Sequence, residues 1–389
     1  MKRMRWLLLL IVLLMVAACA APVAAPTDGA AAPAATEAPA AEGQGEATAP
    51  AGELTPVRLQ LQWVTQSQFA GYYAALDQGY YADEGLDVTI LEGAVEIVPQ
   101  QVVAAGEAEF GIAWVPKVLA SREQGADLVN IAQIFQRSGT LEISWADSGI
   151  TKPEDWAGKR VGTWGFGNEF ELFAAMRKAG IEPDDPNQVT IVQQPFDMSL
   201  LLNREIDAAE AMIYNEYAQV LEATNPDTGK LYQPEDLNVI NFNDVGTAML
   251  QDHVFARESW LAEAGNEDIA VRFLRASFKG WIFCRDNFDD CVNIVLAHGP
   301  TLGEGHMRWQ LNEINALIWP SPNGIGMLDD ALYQQTVDIS TEFKVLTQPA
   351  DEGAVRKDLA EQALAGMTDV DTKGEGFTKQ TIEVTAGGE

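Results

Sequence analysis

Residues 59–90, LQLQWVTQSQFAGYYAALDQGYYADEGLDVTI, decide the fold. A β-like run from Val57 to Trp63 breaks into the polar loop Thr65-Gln66-Ser67-Gln68. A helix follows, because Phe69, Tyr72, Tyr73 and Leu76 recur at i, i+3, i+4 and i+7 and Gly79 stops the pattern. Gly85 then turns the chain into a second strand, Leu86–Leu91. Strand, helix and strand in that order build an open α/β sheet, whose ligands lie where a strand's carboxyl end meets the next helix. Trp63, Gln66 and Gln68 occupy that place.

The same plan recurs further along. Val98–Gly125 reads helix, Gly106-Glu-Ala-Glu, short strand Phe110–Trp114, helix. Asp197–Thr224 reads helix, Arg204-Glu-Ile-Asp, short strand Ala209–Ile213, helix. Each passage is preceded by its own strand–loop–helix–strand, at residues 57–91 and 160–192. The expected fold is therefore α/β, with two doubly wound, mostly parallel sheets whose loop edges face each other across a cleft. Lobe one is assigned residues 54–145 and 250–350, and lobe two residues 146–249. The chain is expected to leave lobe one near Leu141–Ala146 and to return near Gly246–Val254. Helices predicted within 255–345 add to lobe one: Glu258–Ala264, Ile269–Arg285, Phe288–Ala297, Met307–Leu317 and Asp329–Phe343. Residues 366–389, rich in Gly, Thr and charge, read as a tail without fixed structure.

At the amino terminus, Lys2, Arg3 and Arg5 precede an apolar run from Trp6 to Val16 and then Ala17-Ala18-Cys19. This is the pattern of a secretory signal, residues 1–18, too short to be a mature membrane span. Val-Ala-Ala-Cys resembles a bacterial lipobox, which implies cleavage before Cys19 and lipidation there. Residues 19–53 are almost entirely Ala, Pro, Glu, Gly and Thr, cannot bury a core, and read as a disordered tether. The mature chain is thus expected at the cell membrane, lipid-anchored on its extracytoplasmic side. Formal charge is −32, or −35 once the signal's three basic residues are removed. Such an excess argues against nucleic acid and against lying on anionic lipid. Cys284 and Cys291 would be roughly 10 Å apart in one continuous helix, too far to bridge. They are read as two buried thiols, with a disulfide open to them only if the chain breaks at Asp286-Asn287.

Residues 61–90, the Gly165 loop and Leu317-Ile-Trp-Pro320 resemble the solute-binding proteins that ABC importers use for thiamine pyrimidines, flavins and sulfonates. Within them the likeness is to the branch related to pyrimidine-precursor synthases, and it extends over roughly residues 56–345. The resemblance implies a two-lobed periplasmic-binding-protein (type II) fold. It also implies a monomeric lipoprotein that hands a small heteroaromatic solute to permease and ATPase subunits.

Candidate ligand contacts lie on the predicted cleft edge. From lobe one come Trp63, Gln66, Gln68 and Trp114. Lobe two offers Trp164 and the turn Gly165-Phe166-Gly167-Asn168-Glu169, where Asn168 is suited to cap the next helix and free N–H groups are suited to ligand oxygens. Tyr214 and Asn215 follow the strand Ala209–Ile213 and supply a stacking face and an amide. Five flat aromatics (Trp63, Trp114, Trp164, Phe166, Tyr214) suit a large ring system, and riboflavin is expected over a thiamine pyrimidine precursor. A phosphorylated pyrimidine would favour Arg or Lys at the Gly165 turn, and neither residue is there.

No catalytic set is expected, nor a cofactor or metal. His253, His298 and His306 lack metal-ligand spacing, no Gly-x-Ser-x-Gly elbow occurs, and neither internal cysteine has a nearby histidine. The cysteine-rich motif of the eukaryotic pyrimidine synthases is missing, which sets the alternative of an exported enzyme on this fold in second place.

Overall fold

The computed structural model describes residues 53–389. The signal, Cys19 and nearly all of the tether lie outside the described residues. Among the described residues ten strands form two five-stranded sheets. The first contains β1 (Thr55–Gln60), β2 (Leu86–Leu91), β3 (Phe110–Ala113), β4 (Leu128–Gln133) and β10 (His253–Arg257), in the order β2-β1-β3-β10-β4. The second contains β5 (Thr140–Trp145), β6 (Arg160–Thr163), β7 (Thr190–Gln193), β8 (Ala208–Met212) and β9 (Leu237–Asn241), in the order β7-β6-β8-β5-β9. Strand β1 runs parallel to β2 and β3, and β6 parallel to β7 and β8. In each sheet one strand is reversed: β10 between β3 and β4, and β5 between β8 and β9. The sheets are mixed but mostly parallel, and they share one plan.

Burial follows position. Edge strand β2 alternates, with Leu86 and Val88 buried and Asp87 and Thr89 exposed, whereas β3, β4, β5 and β8 are buried throughout. Strands β3, β5 and β8 are central and enclosed on both faces, and edge strand β4 is covered by carboxyl-terminal segments through bridges of Asn130 to Val355 and Gln133 to Gly326. Strand β5 corrects one expectation. Thr140–Trp145 lies in the second sheet, so the chain crosses at residues 134–139, ahead of the predicted Leu141–Ala146. The return runs through residues 246–252 into β10.

Lobe one is thickened by helices from the carboxyl-terminal third. The helix Asn266–Asp286 buries Phe273, Leu274, Phe278 and Trp281 and packs on the helix Ala70–Asp77. Gly71 and Gly280 face each other there, and a Cβ on Gly280 would overlap the Gly71 carbonyl oxygen. The long helix stops at Asp286, Asn287 adopts φ −127° and ψ 62°, and a new helix runs Phe288–His298. That break brings Cys284 and Cys291 to a Cα–Cα distance of 5.0 Å as a disulfide, which replaces the expected pair of free thiols.

The carboxyl-terminal residues also differ from expectation. A helix, Lys357–Ala365, packs on Asn266–Asp286 and β4, so lobe one reaches past residue 350. Residues 366–389 lie against the protein. Ser321 and Ile325 donate to the carbonyls of Lys373 and Thr372, and Asn312 and Gln380 exchange two hydrogen bonds of 2.9 and 2.8 Å. Phe377 packs on the lobe-one core and Val384 on a lobe-two cluster that includes Trp145 and Leu201. The order comes from tertiary contacts, which local composition does not reveal.

Candidate functional site

The carboxyl ends of β1, β3, β6 and β8 meet at a cleft between the lobes. Its empty volume, open mouth included, is about 320 Å³. Eight of the anticipated residues line it: Trp63, Gln66, Gln68 and Trp114 from lobe one, and Trp164, Asn168, Tyr214 and Asn215 from lobe two. Each follows its strand by a few residues, so the parallel pairing that aligns the strand ends also gathers these side chains. Trp63 stands edge-on to Trp164 (ring centres 6.1 Å apart) and to Phe196 (4.6 Å), both from the opposite lobe. Trp164 has its indole N–H buried without a partner, so the wall carries an unused donor.

The Gly165 turn is placed differently from its sequence reading. Gly165, Phe166 and Gly167 have φ of 75°, 56° and 89°, and Phe166 is exposed at the rim. Three of the turn's N–H groups are used internally: Gly165 donates to Thr163 Oγ1, Gly167 to Glu169 Oε2 at 2.8 Å, and Asn168 to the Gly165 carbonyl. Those three are not free for a ligand, and Phe166, Gly167 and Glu169 stand outside the cleft wall. Asn168 does not cap the helix Phe170–Lys178, which begins after Glu169. Its amide donates to the Gly165 carbonyl at 2.7 Å and accepts from Lys117 Nζ of lobe one at 3.1 Å.

Gln62, Met212 and Glu216 complete the lining, and Asp252 organises it from behind. The Asp252 carboxylate accepts from Gln62 Nε2 (2.6 Å), Gln68 Nε2 (3.0 Å) and Trp114 Nε1 (3.0 Å). Burial pushes its carboxyl up to about 7, while those three donors and Lys117 act in the opposite direction. Across the cleft, burial likewise raises Glu216 to about 7, against the Met212 N–H and the Asn215 amide that hydrogen-bond it. Because Asn215 Nδ2 donates to Glu216 Oε1, its oxygen is turned toward the helix Glu304–Ile318, where it accepts from Gln310 Nε2 and pairs with His306 Nε2. Gln310 Oε1 in turn accepts from the Gln68 backbone. One polar chain thus links the first-lobe loop to the second-lobe loop.

The arrangement offers aromatic faces, amides and two buried carboxyls around a small space, which is equipment for holding a flat polar molecule. Among the described residues no group of three or more His, Cys, Asp or Glu side chains could hold a metal ion. No described helix is long and apolar enough to cross a membrane.

Residues 66–290 match the family described as NMT1/THI5 like. Over 323 residues the chain is 24% identical to the formylaminopyrimidine-binding protein of Halalkalibacterium halodurans, covering 81% of this chain and 91% of that one. Over 346 residues it is 26% identical to the riboflavin-binding protein RibY of Chloroflexus aurantiacus, covering 86% and 90%. Among solved structures it is similar to the alkanesulfonate-binding protein SsuA from Xanthomonas axonopodis pv. citri bound to MOPS. That likeness has a TM-score of 0.58 at 14% identity and covers 79% of this chain and 99% of that one. At such identity it carries the fold alone, that of periplasmic binding proteins.

Proposed function

We propose, on the premise that this chain belongs to the NMT1/THI5-like family, that it captures a small heteroaromatic solute outside the cell and delivers it to an ABC permease. The observation that carries this reading is the meeting of Trp63, Trp114, Trp164 and Tyr214 with Gln66, Gln68, Asn168 and Asn215 around one interlobe cleft. Two relatives covered along about nine-tenths of their length are named as binding proteins for heteroaromatic molecules. Anchoring through a lipidated Cys19 belongs to the same proposal. Cys19→Ala is expected to leave the membrane fraction or to stay unprocessed, and normal retention at unchanged mass would refute lipidation at that residue.

Riboflavin is the preferred ligand. Four aromatic faces exceed what one pyrimidine ring needs, and the turn after β6 offers no cation of its own for a phosphate. A second reading, an aminopyrimidine, is favoured by the modest space of the cleft, since one ring needs less room than three. Titration of the protein with each compound, followed by flavin and tryptophan fluorescence, separates the two. Riboflavin quenching at micromolar concentration is the expected result. Aminopyrimidine binding without flavin binding would move the assignment to the second reading. Turnover of any such compound in the absence of a permease would point to an exported enzyme.

A further inference from the structure

Beside the cleft lies a smaller recess, about 230 Å³ of empty space with its open mouth included, that shares Gln62, Trp63 and Asn168 with it. Its floor comes from the apolar segment around Ala94, Ile97 and Val98 of lobe one. Two polar groups stand out in its wall. Gln100 is 4% exposed, and its side-chain oxygen is buried with no hydrogen-bond partner. Lys117 is 8% exposed and gives one hydrogen bond, to Asn168 Oδ1, from an ammonium group that has three N–H bonds. No carboxylate lies within ion-pair distance of Lys117 among the described residues, although Glu169, Asp252 and Glu210 all act on it from further away. A buried acceptor and a buried donor left open toward one space are costly unless something fills it.

We propose that this recess receives a neutral hydroxylated chain attached to the ring held in the main cleft. This rests on the reading of that cleft as a heteroaromatic site. Hydroxyl groups can both accept from Lys117 and donate to Gln100 Oε1, whereas a methyl group can do neither and a fully ionised phosphate can only accept. The charge of Glu169, which acts on Lys117 ahead of Asp252 and Glu210, disfavours adding an anion there. The apolar floor suits the carbon backbone of such a chain.

The experiment compares full-length protein binding riboflavin, lumiflavin (the same rings with a methyl in place of the polyol) and the phosphorylated flavin mononucleotide. Riboflavin is expected to bind roughly 10-fold more tightly than lumiflavin, in line with hydrogen bonds to a buried amide and an ammonium. Gln100→Leu is expected to remove most of that advantage while leaving lumiflavin affinity within about twofold. Ala94→Phe, which fills the recess without touching its polar groups, is expected to exclude riboflavin selectively. Equal affinity of riboflavin and lumiflavin in the unmodified protein, or parallel weakening of both ligands in both variants, would overturn the recess's role and leave the cleft reading standing. Tighter binding of the phosphorylated flavin would overturn its neutral character. Failure of every flavin to bind would bring down the cleft reading and this inference with it.

Discussion

Asp252 collects hydrogen bonds from residues 190, 184 and 138 positions away, and in doing so sets the pose of Gln62, Gln68 and Trp114. Its truncation leaves three donors without an acceptor, at about 1–3 kcal/mol for each that stays buried and unpaired. Asp252→Ala is therefore expected to lower the thermal midpoint and to weaken ligand binding by at least about 10-fold. Asp252→Asn keeps one acceptor oxygen and is expected to retain part of both, as thermal melts and fluorescence titration would show. Equal behaviour of the two variants would remove Asp252 from this role. Trp63, Trp114, Trp164 and Tyr214 are legible in the sequence because each stands at or within three residues of the end of a recognisable strand. Asp252 is not, since it stands alone among fifty-seven acidic residues and its partners are assembled only by the fold. Lys117 and Gln100 are hidden for the same reason, inside helices whose local pattern is unremarkable. At the Gly165 turn, spacing places the loop but does not reveal which N–H groups it uses for itself.

At the level of elements, periodicity locates strands well where the pattern is clear: Leu86–Leu91 has the same ends in sequence and structure. Residues 140–145 are expected at the end of lobe one and instead form strand β5 of the second sheet, since a fully buried run reads alike in either sheet. The break at Asn287 was foreseen as a condition for bridging Cys284 and Cys291, yet a propensity argument could not decide it. Helix contacts are the least legible level. Nothing in the pattern around Gly71 or Gly280 announces that two helix backbones touch there. Gly280→Ala forces a methyl group into the Gly71 carbonyl and is expected to cost about 1–3 kcal/mol despite the better helix propensity of alanine. The unfolding midpoint in urea checks this. A midpoint unchanged or raised would mean that the two helices can move apart freely.

The molecule as a whole carries its buried acids in an unusual balance. Burial raises Asp252 and Glu216 to about 7 and Glu171 to about 8. Between the ordinary carboxyl range and those values the folded chain holds protons that the unfolded chain releases, so stability falls as pH rises through that window. His253 opposes this, being buried and lowered to about 4, so that the unfolded chain gains a proton as pH falls below about 6.5. From pH 8 to 6 the acids dominate, and relief of self-repulsion in a chain of formal charge −32 acts in the same direction. The thermal midpoint is expected to rise on the order of 5 °C over that interval. A flat or falling profile would show that these carboxyls are ionised in the folded state. The reversed strands have a consequence of another kind, for the order in which the chain can be completed as it emerges. All five strands of the second sheet lie within residues 140–241, so that lobe is a contiguous stretch able to close by itself. The first sheet cannot: β3 and β4 are joined only through β10, which follows more than 110 residues after β4. Until residue 257 is available, the older lobe carries an open seam with two unpaired edges, and the younger one is finished first.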